Sequence, residues 1–188
     1  MEKRFNQHKI EVRAKEGEPT VLVGYAAVFN SPSCDMWGIV EYVKRGAFAR
    51  SLKENNQKAL WNHNSDFVLG STRAGTLKLW EDDKGLAFEL TPPNTQAGKD
   101  AIESIRRGDV EGNSFGFQIK KQSWDETDPK NVKRYLEEVD LREISPTPFP
   151  AYEDTELGIR DAFKNREVVK VENYENTKRI LDIMQMEV

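Results

Sequence analysis

The stretch "GDVEGNSFGFQI" (Gly108–Ile119) holds the turn on which the predicted fold depends. A charged, helix-like segment ends at its start, and an alternating, strand-like segment begins within it. The aromatic residues Phe115 and Phe117 would point to one face of that strand. Ser114 would point to the other face, beside Gly116. The serine is therefore either a residue that caps the turn or a nucleophile, and the rest of the chain has to distinguish the two.

The segments on either side of this stretch predict a mainly β protein with helices. Alternating or β-rich runs separated by turn signals predict strands at 9–14, 20–30, 58–63, 67–72, 75–82, 85–92, 114–124 and 132–145. Helical spacing of apolar residues predicts helices at 45–55, 95–109 and 176–188. The segment 64–66 is predicted to be a loop. Many short strands joined by turn signals are typical of a barrel or a sandwich.

Composition excludes several classes of protein. The chain has 188 residues, of which 37% are hydrophobic and 32% charged, and this favours one domain with a core. The net charge of −4 and the scattered basic residues argue against nucleic-acid binding. No apolar run approaches the roughly 20 residues that a membrane span needs, and the first residues have no apolar signal core.

The few cysteine and histidine residues argue against a disulfide or a metal centre. Cys34 is the only cysteine of the sequence, so no internal disulfide can form and a reducing compartment is indicated. A zinc site built from Cys34 with His8 and His63 is conceivable, but no ligand spacing supports it. We therefore expect neither a cofactor nor a metal.

The serine stands in "GNSFG" (Gly112–Gly116), which matches the Gly-x-Ser-x-Gly pattern of hydrolase elbows. That elbow connects a strand to a helix, whereas here the order is helix, turn, strand, so the match is weak. Taken alone, Ser114 is more often a turn-capping residue than a nucleophile.

Two further residues could take part in acid–base chemistry. His63 ends the predicted strand 58–63 beside a polar loop; it is either a structural residue or a general base, since imidazole titrates near neutrality. Glu143 shares a strand face with Val139 and Leu141, and a carboxylate there needs a partner. That partner could be an arginine or a histidine ring, and Asp140, on the opposite face, is the alternative acid.

Several segments occur in a fixed order between residues 20 and 155. They are "GYAAVFN" (Gly24–Asn30), "VKRGAFARSL" (Val43–Leu52), "LWNHN" (Leu60–Asn64), "LGST" (Leu69–Thr72), "GTLKLWEDDKGLAFE" (Gly75–Glu89), "RRGDVEGNSFGF" (Arg106–Phe117) and "DLREISPTPFPAYEDT" (Asp140–Thr155). Together they resemble the tailed-bacteriophage prohead maturation proteases, relatives of the herpesvirus assemblins. Asn64 departs from the family's pattern, in which an aspartate is frequent.

The resemblance implies an assemblin-like closed β-barrel surrounded by α-helices. It implies a serine endopeptidase in which His63, Ser114 and Glu143 are catalytic, with Glu143 where assemblins have a second histidine. We divide the chain into a protease domain at 1–160 and a C-terminal helical tail at 161–188. The tail is either a scaffold or dimer contact or simply a packed helix.

The implied substrates are scaffold and capsid precursor proteins, together with the enzyme itself. The resemblance further implies a homodimer or higher oligomer in the bacterial host cytoplasm, inside the assembling procapsid. Two alternatives remain: a catalytically inactive scaffold or assembly protein of the same fold, and a hydrolase of small esters.

The implied chemistry is consistent with the residue types. A serine hydroxyl needs a base to take its proton, and an acid beyond the histidine holds the ring in the correct tautomer. Backbone amides must stabilise the oxyanion, and the predicted turn at 142–146 is a candidate source. We also expect an exposed strand edge near Ser114 with which an extended substrate would pair.

Overall fold

The computed structural model describes residues 1–6, 9–33, 39–128 and 131–148. Cys34, His8 and the predicted tail at 161–188 lie outside these residues. The described elements are, in chain order, β1 (Glu2–Asn6), β2 (Glu11–Arg13), β3 (Val21–Val28), β4 (Ile39–Val43), α1 (Ala49–Glu54), β5 (Lys58–Trp61), β6 (Asn64–Ser71), β7 (Leu77–Glu81), β8 (Gly85–Leu90), α2 (Gln96–Arg107), β9 (Gly112–Asp125) and β10 (Val132–Thr147). The protein is mainly β, as predicted, with few helices.

The strands lie in two sheets. The first sheet has the order β1-β9-β10-β5-β6, and β4 also pairs with β10; the second has the order β2-β3-β8-β7. The long strand β10 is antiparallel to β9 and parallel to both β4 and β5. In the described part of the chain no ladder joins the two sheets or closes either one, so the closed barrel stays a prediction.

Two strands of the structure were not predicted, and one predicted loop is part of a strand. β1 and β4 were not predicted: the sequence of β1, "EKRFN", has almost no apolar residue, and its strand conformation comes from pairing with β9. The predicted loop at 64–66 is instead the first part of β6. That prediction was wrong because Asn62 and His63 form a tight two-residue turn, so that β6 begins at Asn64 and pairs with β5.

One hydrophobic cluster joins the two sheets and the helices. It includes Leu22 and Phe88 from the second sheet, Phe115 from the first, and Ala101 from α2. Phe48, at the start of α1, is fully buried and packs edge-on against Phe115 with 5.7 Å between the ring centroids. The aromatic face of β9 is therefore a core face, as the alternation predicted.

The boundaries of α2 position the strand that carries the serine. The Thr95 hydroxyl oxygen accepts a hydrogen bond of 3.3 Å from the backbone N–H of Gly98, which caps the start of the helix. Gly108 ends the helix in the left-handed conformation with φ of 83°, which glycine adopts without strain. The chain then enters β9 four residues later.

Candidate active site

The ladder between β9 and β10 sets the frame of the site. Ser114 is paired with Ser145, and Gly116 is paired with Glu143. Residues that are paired across an antiparallel ladder point to the same face, so Ser114 and Glu143 share one face on adjacent strands. A register shift between Leu141 and Glu143 marks a bulge on β10 at this point.

Gly116 makes room for the carboxylate of Glu143. A Cβ atom at position 116 would lie 2.3 Å from Glu143 Oε1, a separation that non-bonded atoms do not reach. The glycine beside the serine therefore accommodates a side chain of the neighbouring strand, which explains its place in the sequence without the hydrolase elbow.

His63 lies in the turn between β5 and β6 and not on the strand where it was predicted. Asn62 and His63 both have positive φ, 49° and 59°. A non-glycine residue in this region is strained and persists only when its surroundings hold it. The end of β10 supplies that restraint: the Asn62 N–H donates to the Pro146 carbonyl oxygen at 3.1 Å, and the Thr147 hydroxyl donates to Asn62 Oδ1 at 2.8 Å.

The histidine ring is hydrogen-bonded to Glu143. His63 Nδ1 lies 2.8 Å from Glu143 Oε1, and the two side chains are only 10% and 4% exposed. An ionised carboxylate can only accept, so Nδ1 carries the hydrogen and Nε2 is the nitrogen that can take up a proton. The partner of Glu143 is thus a histidine ring and not an arginine. The predicted face shared with Val139 and Leu141 was wrong, because the bulge before Glu143 turns its side chain to the face of Ser114.

The alternative acid, Asp140, is engaged elsewhere. Its carboxylate forms ion pairs with Arg50 and, at 3.2 Å, with Lys120. Burial alone would raise the pKa of Asp140, but hydrogen bonds from Arg50 and Lys120 outweigh burial and lower it. Asp140 therefore joins α1 to the first sheet.

The serine is close to this pair in the ladder but is not bonded to it. Ser114 Oγ and His63 Nε2 are both buried, and neither has a hydrogen-bond partner, so the structure contains no hydrogen bond between the two atoms. Of the three predicted residues, two are joined by a hydrogen bond and the third stands on the adjacent strand. Hydrogen bonds of catalytic groups are often long before substrate binds.

The strand edge near Ser114 is occupied, contrary to expectation. β9 has β10 on one side and β1 on the other, and Phe5 is paired with Ser114 while Lys3 is paired with Gly116. The predicted oxyanion turn at 142–146 is likewise not a turn, because these residues belong to β10.

Sequence reasoning missed one residue of the site, Ser145. It is fully buried, and its hydroxyl contacts both Glu143 and the backbone of His63. The signal was available in the strand alternation, since positions 143 and 145 of β10 must share a face.

Two other features are absent from the described residues. No group of three or more histidine, cysteine, aspartate or glutamate side chains there is arranged to hold a metal ion. No helix in the same residues is long and apolar enough to cross a membrane.

Comparison with known proteins places these residues in a family context. The family model described as caudovirus prohead serine protease matches residues 8–175. The chain is 29% identical over 165 residues to the prohead protease of Enterobacteria phage HK97, covering 85% of this chain and 68% of the relative. Among solved structures, the bacteriophage T4 capsid assembly protease aligns with a TM-score of 0.45 and 11% identity, covering 79% of this chain and 100% of the T4 chain.

Proposed function

Since the chain belongs to the caudovirus prohead serine protease family, we propose that it is a serine endopeptidase with Ser114 as nucleophile and His63 as general base. Glu143 is the acid that orients the histidine. One observation carries this assignment: the His63–Glu143 hydrogen bond of 2.8 Å forms on the sheet face that also holds Ser114, although 80 residues separate the two partners.

The proposed reaction follows the charges of the site. His63 Nε2 takes the proton from Ser114 as Oγ attacks the carbonyl carbon of the scissile peptide bond. The same nitrogen then gives that proton to the leaving amine, and an acyl-enzyme remains. A water molecule, deprotonated by His63, hydrolyses the ester and restores the serine. Throughout, Glu143 Oε1 accepts the Nδ1 hydrogen and stabilises the imidazolium that forms.

The family context supports the choice of substrate. The HK97 relative is named a prohead protease, and we propose that this chain likewise cleaves capsid and scaffold precursors, and itself, during procapsid maturation. The reaction would take place inside the assembling procapsid, where the enzyme acts as a dimer or higher oligomer. We also propose that the two sheets belong to the closed barrel that the resemblance implies.

Binding of an extended substrate at β9 would involve β1. An extended peptide binds most simply as a strand added to a sheet. At Ser114, β9 is paired with β10 on one side and with β1 on the other, so an added strand would take the place of β1. We propose that β1 leaves this edge when substrate binds.

Co-expression with the cognate capsid precursor tests the function. We expect mass spectrometry to show a shortened precursor with the wild type and an intact precursor with Ser114→Ala and with His63→Ala. The matched control is Ser51→Ala, which removes the hydroxyl of a buried serine in α1, outside the candidate site. This variant should cleave at the wild-type rate.

The same experiment distinguishes the inactive assembly protein. In that case procapsids form equally well with the wild type and with Ser114→Ala, and no precursor is shortened by either. Cleavage at the wild-type rate by both alanine variants would show that the assigned residues are wrong.

A further inference from the structure

Ser145 occupies the centre of the site without belonging to the proposed triad. It lies in β10 with no exposed surface, and its ladder partner is Ser114. Its Oγ donates a hydrogen bond of 2.5 Å to Glu143 Oε2 and accepts one of 3.2 Å from the backbone N–H of His63. Both capacities of this hydroxyl are thus used within the site.

The first of these bonds restrains the carboxylate. The terminal torsion of a glutamate is broad, so one hydrogen bond to Oε1 leaves the plane of the group poorly defined. Because Ser145 holds Oε2 while His63 holds Oε1, the two donors together fix that plane. A carboxylate held by two donors keeps its acceptor lone pair directed at Nδ1 when the ring becomes charged.

The second bond restrains the histidine at its main chain. His63 has φ of 59°, in a turn that depends on contacts from the end of β10. Its backbone N–H donates a hydrogen bond to Ser145 Oγ, the same atom that donates to Glu143 Oε2. One hydroxyl therefore relates the backbone of the base to the carboxylate that orients its ring.

We propose that Ser145 is a positioning residue of the active site, which sets the distance and orientation of the His63–Glu143 pair relative to Ser114. The proposal rests on the proposed function, because it assigns a role within that triad. Ser145 takes no proton from substrate; it acts through the two residues that it holds.

The test compares Ser145→Ala, Ser145→Thr and Ser51→Ala with the wild type. The first readout is the rate at which a fluorophosphonate labels Ser114 in co-expressed particles. The second is the downfield proton resonance of the His63 Nδ1–H in the purified protein, whose assignment is simple because the sequence has two histidines. The resonance reports the His63–Glu143 bond whether or not the protein cleaves anything.

We expect Ser145→Ala to slow labelling about 10- to 100-fold, which corresponds to one hydrogen bond to a charged group, and to broaden or shift the resonance. Ser145→Thr keeps the hydroxyl and should restore both. Ser51→Ala should change neither. If Ser145→Ala does not fold, Ser145→Cys replaces it: the thiol has a similar size but is a weak donor, and the same loss is expected.

Two results would overturn the positioning role. One is a wild-type rate and resonance in Ser145→Ala, or in Ser145→Cys, while Ser114→Ala is unlabelled; the proposed function would then stand. The other is a threonine variant as impaired as the alanine variant, which would show that the hydroxyl is not the cause. If Ser114→Ala still cleaves the precursor, the proposed function fails, and the resonance alone decides whether Ser145 holds the pair.

Discussion

Single residues show that the candidate site depends on small side chains as much as on the three proposed catalytic ones. Gly116 leaves the space that the Glu143 carboxylate fills, and Ser145 supplies the hydroxyl that holds it. His63 stands in a strained turn whose geometry depends on its neighbours in β10. These positions determine where the atoms of the proposed triad lie.

Gly116→Ala is expected to impair catalysis without removing any reactive group. The new methyl would lie 2.3 Å from Glu143 Oε1, which is too close for non-bonded atoms, so we expect the carboxylate to shift relative to His63. A displacement of about 1 Å can cost about 100-fold in rate, and we expect a loss of that order in precursor cleavage.

Gln118→Ala is the matched control for that variant. It changes an exposed residue two positions further along the same strand and should leave the rate unchanged. A Gly116→Ala protein that cleaves at the wild-type rate would contradict the geometry described for Glu143.

Much of the site could be anticipated at this scale, but not its contacts. The alternation in "SFGFQI" indicated that Ser114 and the aromatic residues face opposite sides. The pattern around Glu143 left its partner open between an arginine and a histidine. The structure selects the histidine because the β10–β5 pairing brings residues distant in sequence side by side. Local patterns carry no information on such pairings.

Among the elements, β1 is the one that the proposed function concerns most directly. It pairs with β9 across from Ser114, and it precedes residues 8–175, which the family model matches. Arg4 holds it through bonds of 2.6 Å and 3.0 Å to Glu41. Glu41 also binds Arg134 at 3.1 Å, so loss of β1 leaves this buried carboxylate with a partner.

A variant that begins at residue 7 should cleave peptides faster than the wild type. Without β1, the edge of β9 at 113–117 is open to an added strand. We expect kcat/KM to rise several-fold, measured on a peptide that spans the cleavage site mapped in the co-expressed precursor. The same truncation combined with Ser114→Ala must be inactive, and thermal denaturation verifies folding. A folded truncated variant that is no faster than the wild type would contradict the displacement of β1.

The elements that sequence predicted well are those with strong local signals. The helix predicted at 95–109 is α2 (Gln96–Arg107), and the strands predicted at 75–82 and 85–92 form the β7–β8 hairpin. β1 and the start of β6 lack such signals: both are polar, and both become strands because a partner strand is adjacent. Tertiary pairing overrides weak local preference at these two places.

The described residues are held together by a core shared between two sheets and by ion pairs between surface side chains. Arg50, the second residue of α1, forms ion pairs with Glu138 and Asp140 of β10 and so connects the helix to the first sheet. The hydrogen bonds of this cluster lower the pKa of Asp140 against the opposing effect of burial. Its charge therefore stabilises the folded state.

The stability contributed by Asp140 should depend on pH. Because its pKa is lowered in the folded protein, the contribution is complete above the unfolded-state pKa of about 3.9 and is lost as the pH falls through the lower folded value. We expect Asp140→Asn to lower the free energy of unfolding by about 1–3 kcal/mol at neutral pH and by clearly less near pH 3, measured by urea denaturation.

Asp109→Asn provides the comparison for that measurement. Asp109 forms an exposed ion pair with Arg107 at 3.0 Å, and such pairs contribute about 0–1 kcal/mol. An equal loss for Asp140→Asn at both pH values would mean that the charge of Asp140 is not what stabilises the protein.

At this scale the sequence predicted the class of fold but not the arrangement of sheets. Counting strands indicates a mainly β protein, whereas the order of strands in a sheet depends on which distant segments pair. The closed barrel therefore stays a prediction. The tail predicted at 161–188 lies outside the described residues.

The central claim is that His63, oriented by Glu143, activates Ser114. The most direct measurement is peptide mapping of the residue that a fluorophosphonate modifies in co-expressed particles. We predict modification of Ser114 in the wild type and almost none in His63→Ala, with Glu143→Gln strongly slowed. Modification at another serine, or labelling of Ser114 at the wild-type rate in His63→Ala, would contradict the claim.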